Sequence, residues 1–264
     1  MKDKGNKPKT LGIICDVMRD NVSRLNKDID YVFIEQRLHD TPERMREELS
    51  RELEKVEDSY DTILMGYGLC SNGVVGLKSK KQKLVIPRVD DCISLFLGSR
   101  ERYIEEFRKD PATYYLCRGW IEYGGDPYRA YLVYTGQYAG IPREWFRGEE
   151  RYGRHYDEVT ARFIITEMMK NYNRIVLIDN DDIEPQHRDY AMRMVNFLSE
   201  LLGKEIEYKE IKGSDKFISY LLNGNWQNGN FIVYEPGQEI RASDFMDSPL
   251  VSESLHKTGD KVFS

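Results

Sequence analysis

Four cysteines, Cys15, Cys70, Cys92 and Cys117, are the residues of this chain best equipped for chemistry. A thiolate is both a nucleophile and a soft metal ligand, and four thiols spread over 264 residues do not form a disulfide framework. No Cys-x-x-Cys or His-x-x-x-His pair is present, which excludes a locally built zinc finger or ribbon. Any site must therefore be assembled from distant segments. Each cysteine follows a short apolar run, and in a parallel sheet the carboxyl ends of the strands share one edge, where open α/β folds bind ligands. The positions thus predict four thiols converging on one rim. The competing reading is that they are small buried hydrophobes. Against it, Cys70 lies in the turn Gly66-Tyr67-Gly68-Leu69-Cys70-Ser71-Asn72-Gly73 and Cys92 follows Asp90-Asp91. Backbone N–H groups of such a turn lower a thiol pKa and bind anions.

The elements that must position these residues alternate. Leu11 to Ile14, Tyr31 to Ile34, Thr62 to Met65, Leu84 to Ile86 and Thr113 to Leu116 read as strands. Thr41, Pro42 and Glu43 predict a helix start, with the helix running to about Val56, and the apolar spacing over 93–107 predicts another. Residues 118–153, rich in glycine and aromatics, read as a long connection or subdomain. Helix 156–172, strand 174–178, helix 185–202 ending at Gly203, an extended 206–211, helix 215–223 and strand 231–234 make a second unit of the same kind. The expected fold is α/β, with two Rossmann-like parallel-sheet halves around a cleft. The halves are 10–145, carrying the cysteines, and 146–245, divided somewhere in 140–155 and followed by a tail, 246–264.

Composition limits the partners. Apolar residues at 40% suffice for a packed core, and the balance of 39 basic and 45 acidic residues, net charge -6, excludes a polybasic nucleic-acid binder. No stretch approaches the ~18 apolar residues of a spanning helix and no apolar segment follows the lysine-bearing N-terminus. A cytoplasmic protein with no membrane or nucleic-acid partner is expected.

Around the thiols, His39 after the second strand is an acid–base or ligand candidate, or only the residue before a helix cap. Asp90 and Asp91 are candidates to orient a ligand or move protons, or to solvate a turn. Gly66 and Gly68 resemble the start of a dinucleotide fingerprint, but Ser71 stands where its third glycine would be and the acidic match near Asp91 is weak. The turn formed by Gly66, Gly68, Ser71, Asn72 and Gly73 is better read as bringing backbone amides and Cys70 close to a bound ligand. Arg100, after Gly98-Ser99, would pair a substrate carboxylate or make a surface ion pair. Aromatics from Tyr114 to Trp145 would form a lid over a planar ligand or build a core. The run Asp179 to Asp182 could hold a hard cation but is better read as an acidic turn capping a helix, and His155 and His187 are read as surface residues.

Ile14-Cys15-Asp16-Val17-Met18, Leu38 to Arg44, Tyr67 to Gly73, Asp91-Cys92-Ile93 with Leu97 to Arg100, and Gly119-Trp120-Ile121 resemble the domain of unknown function 1638 family of archaea and bacteria. Gly224-Asn225-Trp226 and Glu235-Pro236-Gly237 extend the resemblance over roughly 10–240. The family has no established activity. The resemblance implies an association with corrinoid-linked methyltransferases of anaerobes. It also implies cysteines at the positions of Cys15, Cys70 and Cys92, a hydroxyl residue at that of Cys117, and often a histidine where this chain has Asp90.

Together these readings predict a metal-thiolate protein in which Cys15, Cys70 and Cys92 hold an iron–sulfur cluster or, alternatively, zinc. An open coordination position would act on a small-molecule substrate in anaerobic one-carbon or redox metabolism. Asp91, Asp90 and His39 would be catalytic, and Gly66, Gly68, Ser71, Asn72, Gly73 and Arg100 would bind the cofactor. Three cluster cysteines on a Rossmann-like frame resemble quinolinate synthase and the 2-hydroxyacyl-CoA dehydratases in architecture alone. The alternative function is a non-catalytic accessory protein for a small ligand or corrinoid, with a corrinoid protein or methyltransferase as partner.

Overall fold

The structure, a computed structural model, describes residues 9–138, 140–146, 155–227 and 229–245. In chain order its regular elements are β1 (Thr10–Cys15), α1 (Arg19–Leu25), β2 (Asp30–Ile34), α2 (Pro42–Lys55), β3 (Thr62–Gly66), β4 (Lys83–Pro87), α3 (Ile93–Leu97), α4 (Arg100–Lys109) and β5 (Thr113–Leu116). They continue with α5 (Arg118–Tyr123), α6 (Pro127–Thr135), α7 (Glu158–Met169), β6 (Arg174–Asp179), α8 (Pro185–Leu202), β7 (Glu207–Lys212), α9 (Lys216–Leu222) and β8 (Phe231–Tyr234). The fold is α/β with two parallel-dominated sheets, in the orders β2-β1-β3-β4-β8 and β5-β6-β7.

In the first sheet β1 lies between β2 and β3, both parallel to it, and β4 is parallel to β3. Ile13, Ile14, Ile63, Leu64, Val85 and Ile86 are completely buried, as expected of parallel strands covered on both faces. Each such side chain contributes roughly 1.5–3 kcal/mol relative to exposure. Helix α2 begins where Pro42 occupies the first turn and Thr41 is extended, though the Thr41 side chain makes no cap hydrogen bond. Its buried face is Met45, Leu49 and Leu53, one residue per turn.

The helix expected over 93–107 is broken. Gly98 takes φ 82°, and its N–H closes on the Ser94 carbonyl at 3.1 Å. That left-handed position ends α3 and lets α4 start anew, as glycine does at helix termini.

Two strands sit elsewhere than the sequence suggests. β5, expected beside β4, pairs with β6 in the other sheet. β8, expected in the second half, returns antiparallel to β4 with Leu84 opposite Tyr234. The compact units follow this pairing. The first runs to Ile104 and resumes at Asp215, and the second spans Glu105 to Ser214, whereas the sequence reading placed its division within 140–155. The expected tail, 246–264, and residues 147–154 lie outside the described residues.

In the second unit the stretch read as a connection contains α5 and α6. Asp126 accepts the Arg129 N–H at 3.0 Å, Pro127 follows it, and Gly136 at φ 70° closes the helix. The aromatic belt builds this unit's core. Tyr131 and Trp145 are buried in it, and Tyr114, Trp120, Tyr128, Tyr134 and Tyr138 pack against it. His187, expected at the surface, is fully buried. Its Nδ1 accepts the Glu184 N–H, its Nε2 donates to Glu122 at 2.9 Å, and its ring stacks on Trp145. His155 is exposed. The acidic turn is a capping and pairing element: Asp179 accepts the N–H groups of Asp182 and Ile183 and faces Lys212 and Arg188.

Candidate active site

The chain leaves β1 to form β2 on one side and then crosses to β3 on the other. This makes the carboxyl ends of β1 and β3 a topological switch point, the place where open α/β sheets hold ligands. Cys15 is the last residue of β1, level with Ile34 of β2, and Ile14 is level with Gly66 at the end of β3. His39 lies in the short helical turn after β2, Tyr67 and Cys70 follow β3, and Asp91 and Cys92 follow β4. Four neighbouring strands therefore deliver these residues to one edge.

The turn after β3 is held in an uncommon shape. Cys70, Ser71 and Asn72 have φ of 46°, 53° and 68°, three successive left-handed residues, none of them glycine. Each such residue costs about 1–2 kcal/mol, and strain of this kind persists only where surrounding bonds impose it. Here Leu69 N–H donates to the Val89 carbonyl at 2.8 Å, Cys70 N–H to Asp90 at 3.1 Å, and Gly73 N–H to Cys70 at 3.0 Å. Arg46 clamps the Asn72 carbonyl at 3.2 Å.

Electrostatically, the cluster centres on Cys70. The hydrogen bond from Cys92 lowers its pKa most, burial opposes that, and His39 and the Gly68 N–H add to the lowering, so the thiol is held well below its ordinary value. Cys92 moves the other way, pushed up by its hydrogen bond to Cys70, by burial and by Asp91. The shared hydrogen bond thus favours ionisation of Cys70 and disfavours that of Cys92. Burial opposes a charged His39, but the Cys70 thiolate, the Gln36 carbonyl and Asp91 outweigh it and raise its pKa to about 9. His39 Nδ1–H donates to the Gln36 carbonyl at 2.5 Å. Nε2 is buried without an aligned acceptor among the described residues, so its attraction to Cys70 is chiefly that of opposite charges. The Asp91 carboxyl is raised by burial, against the Ile93 N–H that donates to it at 2.8 Å. Tyr67 lies beneath, its ring stacked on His39 and its buried hydroxyl without a hydrogen-bond partner among the described residues. Burial raises its pKa, and Cys15, Cys70 and Cys92 raise it further.

The model of a family described as a protein of unknown function, DUF1638, matches residues 33–230. The chain belongs to this family. No curated protein and no solved structure matches it. The DUF1638 match takes in His39, Cys70, Asp91, Cys92 and Cys117, while Cys15 precedes it.

Within this DUF1638 chain, the residues expected to be catalytic or metal-binding largely meet. His39, Asp91, Cys15, Cys70 and Cys92 act on one another, and Asp90 enters through its carbonyl, which holds the Cys70 amide. Among the described residues, however, no three His, Cys, Asp or Glu side chains form a group that could hold a metal ion. The glycines expected to admit a ligand instead admit protein atoms. An added Cβ would lie 2.7 Å from Ile14 Cδ1 at Gly66, 2.8 Å from the Val89 oxygen at Gly68, and 2.6 Å from Met45 Sδ at Gly73. Ser71 and Asn72 are exposed at the rim of the turn. Arg100 opens α4 with Nε and Nη2 buried and without hydrogen bonds among the described residues. Cys117 follows β5, which belongs to the other sheet, and burial pushes its pKa up to about 12. Sequence reasoning missed Tyr67 and the Cys70–His39 pairing, because both depend on which strands become neighbours.

Proposed function

We propose that this chain is a thiolate enzyme in which Cys70 is the nucleophile and His39 its proton donor and acceptor. The observation that carries the reading is the placement of Cys70 in a strained turn at the switch point of the first sheet, with His39 and Cys92 positioned to lower its pKa. A thiolate so held attacks an electrophilic atom of a small-molecule substrate, and the His39 proton goes to the leaving group. Acid–base assistance of this sort contributes about 10²–10⁴-fold in rate. Such a thiol persists in a reducing compartment, which suits a cytoplasmic setting. No described helix is long and apolar enough to cross a membrane.

Cys15, Cys70 and Cys92 are the residues that would hold an iron–sulfur cluster or zinc; such a group would displace the thiol protons on binding and supply Lewis-acid chemistry, and no step is drawn through it. The aromatic belt that a corrinoid carrier or accessory role would use as a lid lies in and against the core of the second unit.

The test is labelling by iodoacetamide at neutral pH with peptide mapping, beside metal analysis after anaerobic purification. Cys70 should label first, and His39→Gln should slow it at least tenfold. Equal, slow labelling of all four thiols would overturn the reading. So would stoichiometric zinc or an iron–sulfur chromophore that disappears in Cys15→Ser, which would restore the metal-thiolate centre.

A further inference from the structure

Cys70 and Cys92 lie in the loops after adjacent strands β3 and β4, and their thiols interact through a side-chain hydrogen bond. The hydrogen bonds of Leu69 to Val89 and of Cys70 to Asp90 lock those loops side by side. Both side chains are nearly buried, Cys70 at 8% and Cys92 at 5% exposure, and both are free thiols. Asp91 accepts a hydrogen bond from the Cys92 thiol, and its charge acts on Cys70 and His39 as well. A nucleophile needs only one cysteine and one base. A second thiol hydrogen-bonded to the first, with its own carboxylate, is what a two-step exchange requires.

Building on the Cys70 nucleophile proposed above, we infer that Cys92 is a resolving thiol and that the site performs thiol–disulfide exchange on a small-molecule disulfide. In the first step the Cys70 thiolate attacks one sulfur of the substrate R–S–S–R. The substrate S–S bond breaks, a Cys70–S–S–R bond forms, and the departing RS⁻ takes the His39 proton. In the second step Asp91 accepts the Cys92 proton and the Cys92 sulfur attacks Cys70 Sγ. The mixed disulfide breaks, a Cys70–Cys92 disulfide forms, and the second RS⁻ leaves, protonated from Asp91. The substrate gains two electrons and the dithiol loses two. Two molecules of a small thiol, oxidised to their own disulfide, return the enzyme to its starting state.

The experiment uses the full chain and the aromatic disulfide dithiodipyridine, followed by release of thiopyridone and by mass mapping of quenched samples. The wild type should form a transient Cys70 adduct that passes to a Cys70–Cys92 disulfide, releasing a second thiopyridone. Cys92→Ser and Cys92→Ala should stop at the adduct, with the second release slowed at least tenfold, and Asp91→Asn should slow that step about tenfold. A wild-type adduct on Cys70 that stays unresolved, or one resolved by Cys15, overturns the inference and leaves the nucleophile standing. Resolution in the Cys92 variants as fast as in the wild type overturns it as well. No adduct on Cys70 in any protein overturns the nucleophile itself. Should the Cys92 variants fail to fold, the fate of the wild-type adduct alone decides.

Discussion

His39 and Cys70, brought together from the loops after β2 and β3, each stabilise the charged form of the other. The imidazolium keeps the thiol ionised, and the thiolate keeps the imidazole protonated in a place where burial alone would strip its proton. Because the dependence is mutual, removing either partner must show in the other.

The direct readout is the His39 ring by NMR. In the wild type its resonances should titrate near pH 9. In Cys70→Ser burial is opposed only by the Gln36 carbonyl and Asp91, and the midpoint should fall toward the ordinary imidazole range. Groups facing the pair, namely Asp91, Cys92, Cys15, Tyr67 and Asp16, are unchanged in this variant. A midpoint that stays near 9 would assign the shift to Asp91 and remove the ion pair.

Stability against pH follows with a definite sign. The raised folded pKa of His39 adds stability that is full below the ordinary 6.5 and is lost as pH rises through about 9. The lowered folded pKa of Cys70 adds stability that is full above the ordinary 9.0 and is lost as pH falls through its folded value. Above both 6.5 and the folded pKa of Cys70, and up to about 9, the folded pair keeps one proton on the imidazole and the unfolded pair keeps one on the thiol. Neither state binds more protons there, so the pair's contribution should be level across that window. The measurement is the denaturant midpoint of the wild type minus that of the His39→Gln, Cys70→Ala double variant, read above the carboxylate range. A steady slope across the window would mean that the pair is not zwitterionic.

How far the sequence could take these conclusions depends on distance along the chain. The strands of the first sheet are legible because Leu11 to Ile14 and Ile63 to Met65 are short apolar runs of the kind doubly covered strands carry. Helix α8 is legible from Pro185 at its start and Gly203 past its end. The pairing of β5 with β6 is not, since Thr113 to Leu116 has the same pattern in either sheet. That one unknown separates Cys117 from the other three thiols. Helix α6 was within reach: Asp126-Pro127 and Gly136 are an N-cap, a first-turn proline and a C-terminal glycine, obscured by aromatics that pack on several sides. At the site, strand order explains why the thiols meet, but the ionisation of Cys70 depends on His39 and Cys92 lying within bonding reach. No spacing rule states that.

Gly73 couples the turn to α2 through Met45, whose Sδ would lie 2.6 Å from a Cβ at that position. The Gly73 backbone, at φ -63°, accepts any residue, so the cost of Gly73→Ala is steric alone. It should destabilise the protein by about 1–3 kcal/mol, the usual range for overpacking. It should also shift the Cys70 carbonyl, which lies 3.2 Å from the same Cβ. Adding Met45→Ala leaves a cavity but removes the clash, so the double variant should regain the Cys70 labelling rate more fully than it regains stability. Additive losses in both would show that Gly73 and Met45 act independently.

Ser71 provides the sharpest separation of stability from reactivity. At φ 53° its side chain costs about 1–2 kcal/mol, which glycine avoids, while glycine loses roughly 0.5–1 kcal/mol more chain entropy on folding. Ser71→Gly should therefore gain between nothing and about 1.5 kcal/mol. Being exposed, Ser71 gives up little packing in the exchange. If the strain holds the turn in the one shape that presents Cys70 to His39 and Cys92, the same variant should be the more stable protein and the less reactive one, with Cys70 labelling at neutral pH slowed several-fold. Ser71→Val, β-branched in a left-handed position, should lose both stability and reactivity. Thermal denaturation and iodoacetamide labelling on the three proteins decide the matter. A glycine variant that gains stability and labels as fast as the wild type would show that the strained turn has no part in setting up the thiolate.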